Sequence, residues 1–505
     1  MFEYKKVLAY LRKHFNLTDI FWIAGLLLLY FAIRLINLDQ FPIFSDEGIY
    51  LNWAKIAAND ASWRFISLTD GKQPLQTWLT LPFLHFFPAN ALLAGRLVST
   101  FTGLFALTGM FTLLFYLVNK RAAYFGALLY IITPYFIFYD RMALIDSGVN
   151  GFFIWILFFS VLLVRTNRLD VAIILGIIGG VGLLAKSSVQ MFLGLSLFAP
   201  LLNWQKNKKE FINRAINYVI LLGIAIFIAL VMYQIQRLSP FFHYINEKNY
   251  TFILSPKEFL AAPFSVISRN IWLVPYYVFS ELSYAVGVVG IIGYAIMYKR
   301  DKKLFIYLLL WLTIPFIAVG FFSKVLFPRY IIFFGSLMTI MAAYALSQFK
   351  NKIYLFGSLG VIVVSVLYFN YTLLFDYAKI PFPPVDRGQY IEDWPSGWGA
   401  KEIMEYARER SKEKNVIIMA EGNFGMAGDV LNSLIQPGDN IKIDGIYPLN
   451  LEDVYKAQPK LEDNIVLLVF PHRKEFPPDW PVTLIKKYDK PGSKSSLYLL
   501  ELKKS

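Results

Sequence analysis

An acidic pair, Asp46-Glu47, stands in Phe44-Ser45-Asp46-Glu47-Gly48-Ile49-Tyr50, directly after the first long apolar segment of the chain. Carboxylates are unfavourable beside hydrocarbon, so a pair placed where a membrane helix meets water suits a general base, a metal ligand or an ion-pathway residue. It also suits a helix start, because Ser45-Asp46-Glu47 is a reasonable capping sequence whose negative charge favours the helix dipole. Lys72, in Asp70-Gly71-Lys72-Gln73-Pro74, precedes a Pro-initiated amphipathic helix. Its ammonium could hold a phosphate as a point charge or snorkel to the membrane surface. Arg96 enters the second apolar segment near its outer end, where a guanidinium needs an anion from the protein or from a ligand. Asp140, Arg141 and Asp146 share one short loop, readable as part of a site or as an intraloop ion pair worth little. Lys186 stands at another turn, and Arg329, in Phe327-Pro328-Arg329-Tyr330, begins a late apolar segment. Each signal is weak alone. Gathered beside helix ends on one membrane face, they are hard to explain as scattered surface charge.

The elements that must position these residues follow from composition. The chain has 505 residues, 57% of them hydrophobic and 17% aromatic, with a mean hydropathy of +0.49. These values exclude a soluble globular domain and define a multi-pass membrane protein. The net charge of +14 comes from Lys and Arg spread along short loops, with no basic stripe interleaved with stacking aromatics, so nucleic acid is not an expected partner. Cysteine is absent, which excludes disulfides, thiolate metal sites and a cysteine nucleophile. The first apolar run, 20–38, is too long for a signal-peptide core and is expected to remain as a helix.

Apolar stretches near 20–38, 90–117, 122–138, 148–165, 170–185, 188–202, 215–235, 271–298, 304–322, 330–347 and 353–375 predict about eleven spans. Basic residues in alternate loops, including Lys5, Lys6, Arg12, Lys13, Lys120, Arg121, Arg165, Arg168, Lys206, Lys209, Arg214, Lys299 to Lys303, Lys350 and Lys352, fall on one side. The positive-inside rule makes that side cytoplasmic, with the N-terminus inside and the candidate chemistry outside. After a Pro-rich linker near 380–384, a polar region of roughly 125 residues is enough for one small domain. Val416–Ala420, Ile465–Phe470 and Ser496–Leu502 read as strands, and Gly399–Lys412 and Met426–Leu434 as helices. Gly422, Gly425 and Gly428 follow the first strand as a phosphate-binding turn or, more commonly, an ordinary one. The expected organisation is a mainly α transmembrane bundle over 1–375 and a soluble exoplasmic α/β domain over 376–505, in the plasma (inner) membrane.

The order Asp-Glu-x-x-Tyr, Lys-x-Pro-Leu-x-x-Trp-Leu, Gly-Arg-Leu, Arg-x-Ala-Leu-x-Asp, Leu-Ala-Lys-Ser and Pro-Arg-Tyr resembles the GT-C superfamily of membrane glycosyltransferases. The resemblance is closest to the lipid A aminoarabinose transferase and protein O-mannosyltransferase branch, and it covers Ile20 to Phe375. It implies an inverting hexosyl- or pentosyltransferase that moves a monosaccharide from a polyprenyl-phosphate donor to a lipid, glycan or protein acceptor. Asp46 matches the catalytic base with Glu47 as its partner, and Lys72, Arg141, Lys186 and Arg329 match positions near the donor phosphate. Arg96, Asp140, Asp146 and Tyr50 are supporting. The lipid A branch has a metal-binding Glu where this chain has Gly71, with Asp70 as the only nearby substitute. His243 has no paired partner spacing, so neither a metal nor another cofactor is expected. Aromatic segments Phe152–Phe159 and Phe321–Phe334 are candidates to line a prenyl groove. A flippase or transporter of lipid-linked sugar would carry ionisable or helix-breaking residues near the bilayer midplane, which these spans largely lack. A polymerase or ligase using lipid-linked oligosaccharide is the nearer alternative.

Overall fold

A computed structural model describes residues 14–204, 208–473, 476, 480–492 and 494–504 of the chain. Lys5, Lys6, Arg12, Lys13 and Lys206 of the basic loops lie outside the described residues. Every apolar stretch expected to span is helical, but not every one forms a single long helix. Among the described residues seven helices are long and apolar enough to cross a membrane, or eight when the pair Ile267–Glu281 and Ala285–Arg300, bent by 110°, is taken as one. The shortfall from about eleven has local causes. Pro134 lacks an N–H and follows Thr133, so the stretch at 122–138 divides into Lys120–Ile132 and Pro134–Tyr139. The stretches at 170–185 and 188–202 fold as two short apolar helices on either side of Lys186.

Asp146–Thr166 and Pro328–Gln348 form the centre of the bundle, 83% and 94% buried, whereas Leu17–Leu35 and Lys352–Phe375 are only 17% buried and face outward. Peripheral helices that are apolar on the outside are what a lipid environment demands. The described basic loops meet at one end. Arg121 donates to the Phe349 carbonyl at 3.1 Å, Arg300 to Gln348 at 2.5 Å and Lys303 to the Trp204 carbonyl at 2.5 Å. Asp46, Lys72, Asp146, Lys186 and Arg329 sit at the other end, because the helices that carry or flank them run the length of the bundle.

On that same end lies a five-stranded sheet in the order β2-β1-β3-β5-β4, from β1 Asn415–Glu421, β2 Ile441–Ile446, β3 Asn464–Phe470, β4 Val482–Asp489 and β5 Ser496–Leu502. β1 pairs in parallel with β2 and β3, while β5 runs antiparallel to β3 and β4. The three strands legible as apolar runs are the buried central ones. β2 and β4 are edge strands with half-exposed, charge-bearing patterns, so hydropathy does not reveal them. The helices Ala400–Arg410 and Gly428–Ser433 match the two expected in this region.

Candidate active site

Ser45–Asn59 is the helix that carries the acidic pair, and its two carboxylates turn to different tasks. Glu47 is fully buried, with Arg96 Nε donating at 2.9 Å to Oε1 and Nη2 at 2.8 Å to Oε2. It also accepts the Phe44 N–H at 2.9 Å, which caps the helix, and the Ala143 N–H at 2.6 Å. Arg96 uses Nη1 to hold the Leu38 and Phe41 carbonyls at 2.9 Å each. Glu47 therefore fastens the helix start to the bundle and does not face the cavity, a correction to its expected place beside the reaction.

Asp46 points the other way, 27% exposed, and lines a cavity of about 500 Å³. Arg329 Nη2 lies 2.9 Å from its Oδ2 and Lys72 Nζ 3.4 Å from its Oδ1. Burial alone would raise the Asp46 carboxyl, but Lys72 and Arg329 outweigh it and hold the group at about 2. The Arg329 side chain is only 6% exposed, and its Nε and Nη1 have no hydrogen-bond partner. A buried guanidinium with two unused N–H groups beside a cavity is suited to a bidentate oxyanion.

Lys72 turns inward rather than snorkelling. Its ammonium lies 3.6 Å from Asp70 Oδ2 and over the rings of Tyr50, Trp53 and Phe424 at 5.2, 5.7 and 6.0 Å. Lys186, at the turn after Leu169–Ala185, pairs with Asp146 at 2.7 Å and faces the Tyr330 ring at 4.2 Å. Tyr50, Asp146, Lys186 and Arg329 all line the same cavity.

Arg141 and Asp140 do not reach it. Arg141 Nη1 donates to the carbonyls of Ile33, Arg34 and Ile36 at 2.8 to 2.9 Å, closing the end of Leu17–Leu35. Its expected contact with the donor phosphate is thus replaced by a helix C-terminal cap. Asp140 pairs with Arg34 at 3.1 Å, both fully buried, and accepts from Tyr130 at 3.1 Å and Ser147 at 2.7 Å. The three charges of this loop are consequently not an intraloop pair, since Asp140 and Arg141 both engage the end of Leu17–Leu35 and Asp146 engages Lys186.

Lys248 was missed by sequence reading and lines the cavity, with Nζ 2.7 Å from Asp70 Oδ1. His243, the residue of this region that the sequence singles out, is exposed and contacts the Pro240 carbonyl at 3.0 Å. Lys248, five residues further on in Tyr244–Phe252, carries no local signature. Asp70 is shared between Lys248 and Lys72, and among the described residues no three His, Asp or Glu side chains converge as metal ligands. Gly71 has a steric origin. It adopts φ +65°, and a side chain there would run into the Tyr244 carbonyl and approach Lys248 Cβ within 2.6 Å.

The apolar wall of the cavity includes Phe322, Leu326 and Phe333 from the second aromatic segment, together with Phe252 and Val319. Residues 152–159 do not line it. Phe153 packs instead on Phe192, Trp311 and Phe333 inside the bundle. The glycine turn after β1 binds no anion with its amide, because Asp429 Oδ2 accepts the Gly425 N–H at 2.7 Å.

The structure is similar to ArnT from Cupriavidus metallidurans bound to undecaprenyl phosphate, with a TM-score of 0.63 and 13% identity, over 95% of this chain and 97% of that one. The apo form of the same protein gives 0.58 and 14% identity over the same shares. The Archaeoglobus fulgidus oligosaccharyltransferase gives 0.53 and 13% identity, over 89% of this chain and 69% of that one. The family described as dolichyl-phosphate-mannose-protein mannosyltransferase matches residues 72–233. No curated protein matches the sequence. The chain is a multi-pass membrane protein of GT-C fold, resembling the ArnT and protein mannosyltransferase branch.

Proposed function

We propose that the protein is an inverting glycosyltransferase that takes a monosaccharide from a polyprenyl-phosphate donor and passes it to a hydroxyl acceptor on the outer face of the membrane. The observation that carries this reading is one cavity in which Asp46, Lys72, Lys186, Lys248 and Arg329 meet an apolar wall, with Arg329 Nε and Nη1 left unpartnered. The apolar wall accepts the prenyl chain and the cations accept its phosphate. The bond between the anomeric carbon and the phosphate oxygen breaks, and the polyprenyl phosphate leaves with the electron pair. The acceptor oxygen forms its bond from the opposite face, and its proton passes to Asp46. Preorganised cations stabilise the charge that develops on the leaving phosphate. Lys72 and Arg329 are shared with that phosphate once donor binds, so Asp46 loses part of the attraction that holds it at about 2 and becomes a better base.

The test is transfer or hydrolysis of radiolabelled sugar from a panel of polyprenyl-phosphate monosaccharides by the purified full-length protein and its Asp46→Asn variant. Wild-type turnover that falls about 10²–10⁴-fold in the variant is expected. Movement of the intact donor across proteoliposomes without bond cleavage would replace this reading with a flippase, and undiminished turnover by Asp46→Asn would remove Asp46 from the base role.

A further inference from the structure

Among the contacts that the α/β domain makes with the reacting end of the bundle are those of loop 422–428, after β1, and of the helix Gly428–Ser433 that follows it. The loop lies directly on the helix that carries Asp46. A side chain at Gly425 would approach Ser45 Oγ within 2.5 Å, and a side chain at Gly48 would approach Val430 Cγ2 within 2.5 Å. Asn52 donates to Asp429 at 2.7 Å, and Lys55 donates to the Asn432 and Ile435 carbonyls at 2.7 and 2.9 Å. At the tip of this anchored loop stands Phe424, 49% exposed although its neighbours Gly425 and Met426 are buried. Its ring lies 6.2 Å from the buried Trp53 ring and 6.0 Å from the Lys72 ammonium. Lys72 therefore has two sides. One faces the cavity with Asp46 and Arg329, and the other faces Phe424, which does not line that cavity.

We propose that Phe424, backed by Trp53, is the acceptor-side platform of this site and receives the apolar face of a pyranose ring, presenting one of its hydroxyls to Asp46. The inference rests on the glycosyltransferase reading, which requires the acceptor to arrive opposite the phosphate, and Phe424 is an exposed ring beside Lys72 and outside the cavity assigned to the donor. A pyranose offers a patch of C–H groups that covers one aromatic face, while its hydroxyls need polar neighbours. The platform has them in the exposed Asn423 and in Lys72, whose ammonium lies 3.4 Å from Asp46. An acyl chain would need a continuous apolar groove, and Phe424 has the polar Asn423 beside it. A peptide would add to the nearby sheet edge, but β2 carries Lys442 and Asp444, paired at 3.0 Å, and such charges discourage strand addition.

The experiment uses the full-length protein in detergent, with methyl pyranosides and short Ser/Thr peptides as acceptor probes. Donor hydrolysis without acceptor first establishes the parent reading independently of this one. Transfer to a methyl pyranoside is expected, with Phe424→Ala raising the acceptor KM at least about tenfold while kcat changes less than about threefold, and with Phe424→Trp restoring the KM. Saturation-transfer NMR of the same pyranosides gives a readout that needs no turnover, and their binding is expected to weaken by the same factor in Phe424→Ala. Donor hydrolysis accompanied by transfer to peptides alone, or a pyranoside KM and NMR response in Phe424→Ala within about twofold of wild type, would overturn the proposal. Absence of donor hydrolysis and transfer altogether would count against the parent reading. In that case pyranoside binding unaffected by Phe424→Ala would overturn the platform as well.

Discussion

Asp46 and Glu47 are adjacent in sequence, yet they illustrate two opposite uses of a carboxylate. Glu47 has both oxygens engaged by Arg96 and by backbone N–H groups in a fully buried pair. Removing it strands a buried guanidinium, and losing one partner of a buried pair typically costs about 3–5 kcal/mol. Glu47→Ala should therefore lower thermal stability sharply in detergent and lose activity through folding. Asp46→Asn should lower stability less than Glu47→Ala, by about 2 kcal/mol at neutral pH, and lose turnover, as measured on the same preparation. The pH dependence separates them further. Asp46 has an ordinary value of 3.8 and is held at about 2 by Lys72 and Arg329 against the penalty of burial. A depressed carboxyl contributes stability that is present above pH 3.8 and is lost as pH falls through about 2, worth about 2 kcal/mol in full. The stability difference between wild type and Asp46→Asn should shrink over that interval, and a difference unchanged between pH 5 and pH 2 would contradict the ion-pair geometry. Burial and partner identity, which divide these neighbours, are long-range facts. Arg96 lies 49 residues from Glu47 in the chain, so the local sequence left the base and cap readings open for both.

At the scale of elements, the acid helix, the Lys72 turn and the Lys186 and Arg329 helix ends were legible because each pairs a charge with the end of an apolar run. Arg141 was legible by its residue type and wrong in its role, since whether a guanidinium meets a ligand or caps carbonyls depends on where the end of Leu17–Leu35 lies. Lys248 was invisible because Tyr244–Phe252 is short and weakly patterned, and its lysine joins the site only through Asp70. Gly71 links these two elements. With φ +65° and the Tyr244 carbonyl occupying the place where a Cβ would stand, it lets the Lys72 turn lie on the Lys248 helix. Gly71→Ala should separate them, weakening the Asp70–Lys248 pair. The expected effect is a loss of about 1–3 kcal/mol of stability, together with a raised donor KM. A donor KM equal to wild type would show that Lys248 does not contribute to the phosphate site.

At the scale of the whole molecule, the sequence divides cleanly into an apolar part and a polar part but does not indicate that they meet at the reacting end. Three central strands were readable as apolar runs, whereas the contact surface joins residues far apart in the chain, such as Leu51 with Val430 and Leu431 and Asn52 with Asp429, a pairing that local hydropathy does not reveal. The meeting point is the Asp46 helix, where Gly48 faces the backbone of Val430 as well as its side chain, at 2.5 to 2.9 Å from an added Cβ. No rotamer change can relieve contact with backbone, so Gly48→Val must push the helix Gly428–Ser433 away or tilt the helix that carries Asp46. Either movement displaces Asp46 relative to Lys72 and Arg329, and a displacement of about 1 Å at a reacting group can cost 10²-fold in rate. Gly194, with open space around its α-carbon, is the matched control, and Gly194→Ala should leave turnover and stability near wild type. Gly48→Val is expected to lower transfer about 10²-fold and to speed proteolysis of the connection between Phe375 and Ala400, while detergent-resistant helical content persists. Transfer at the wild-type rate in Gly48→Val would mean that the α/β domain rests on the bundle without setting the geometry of its acid helix.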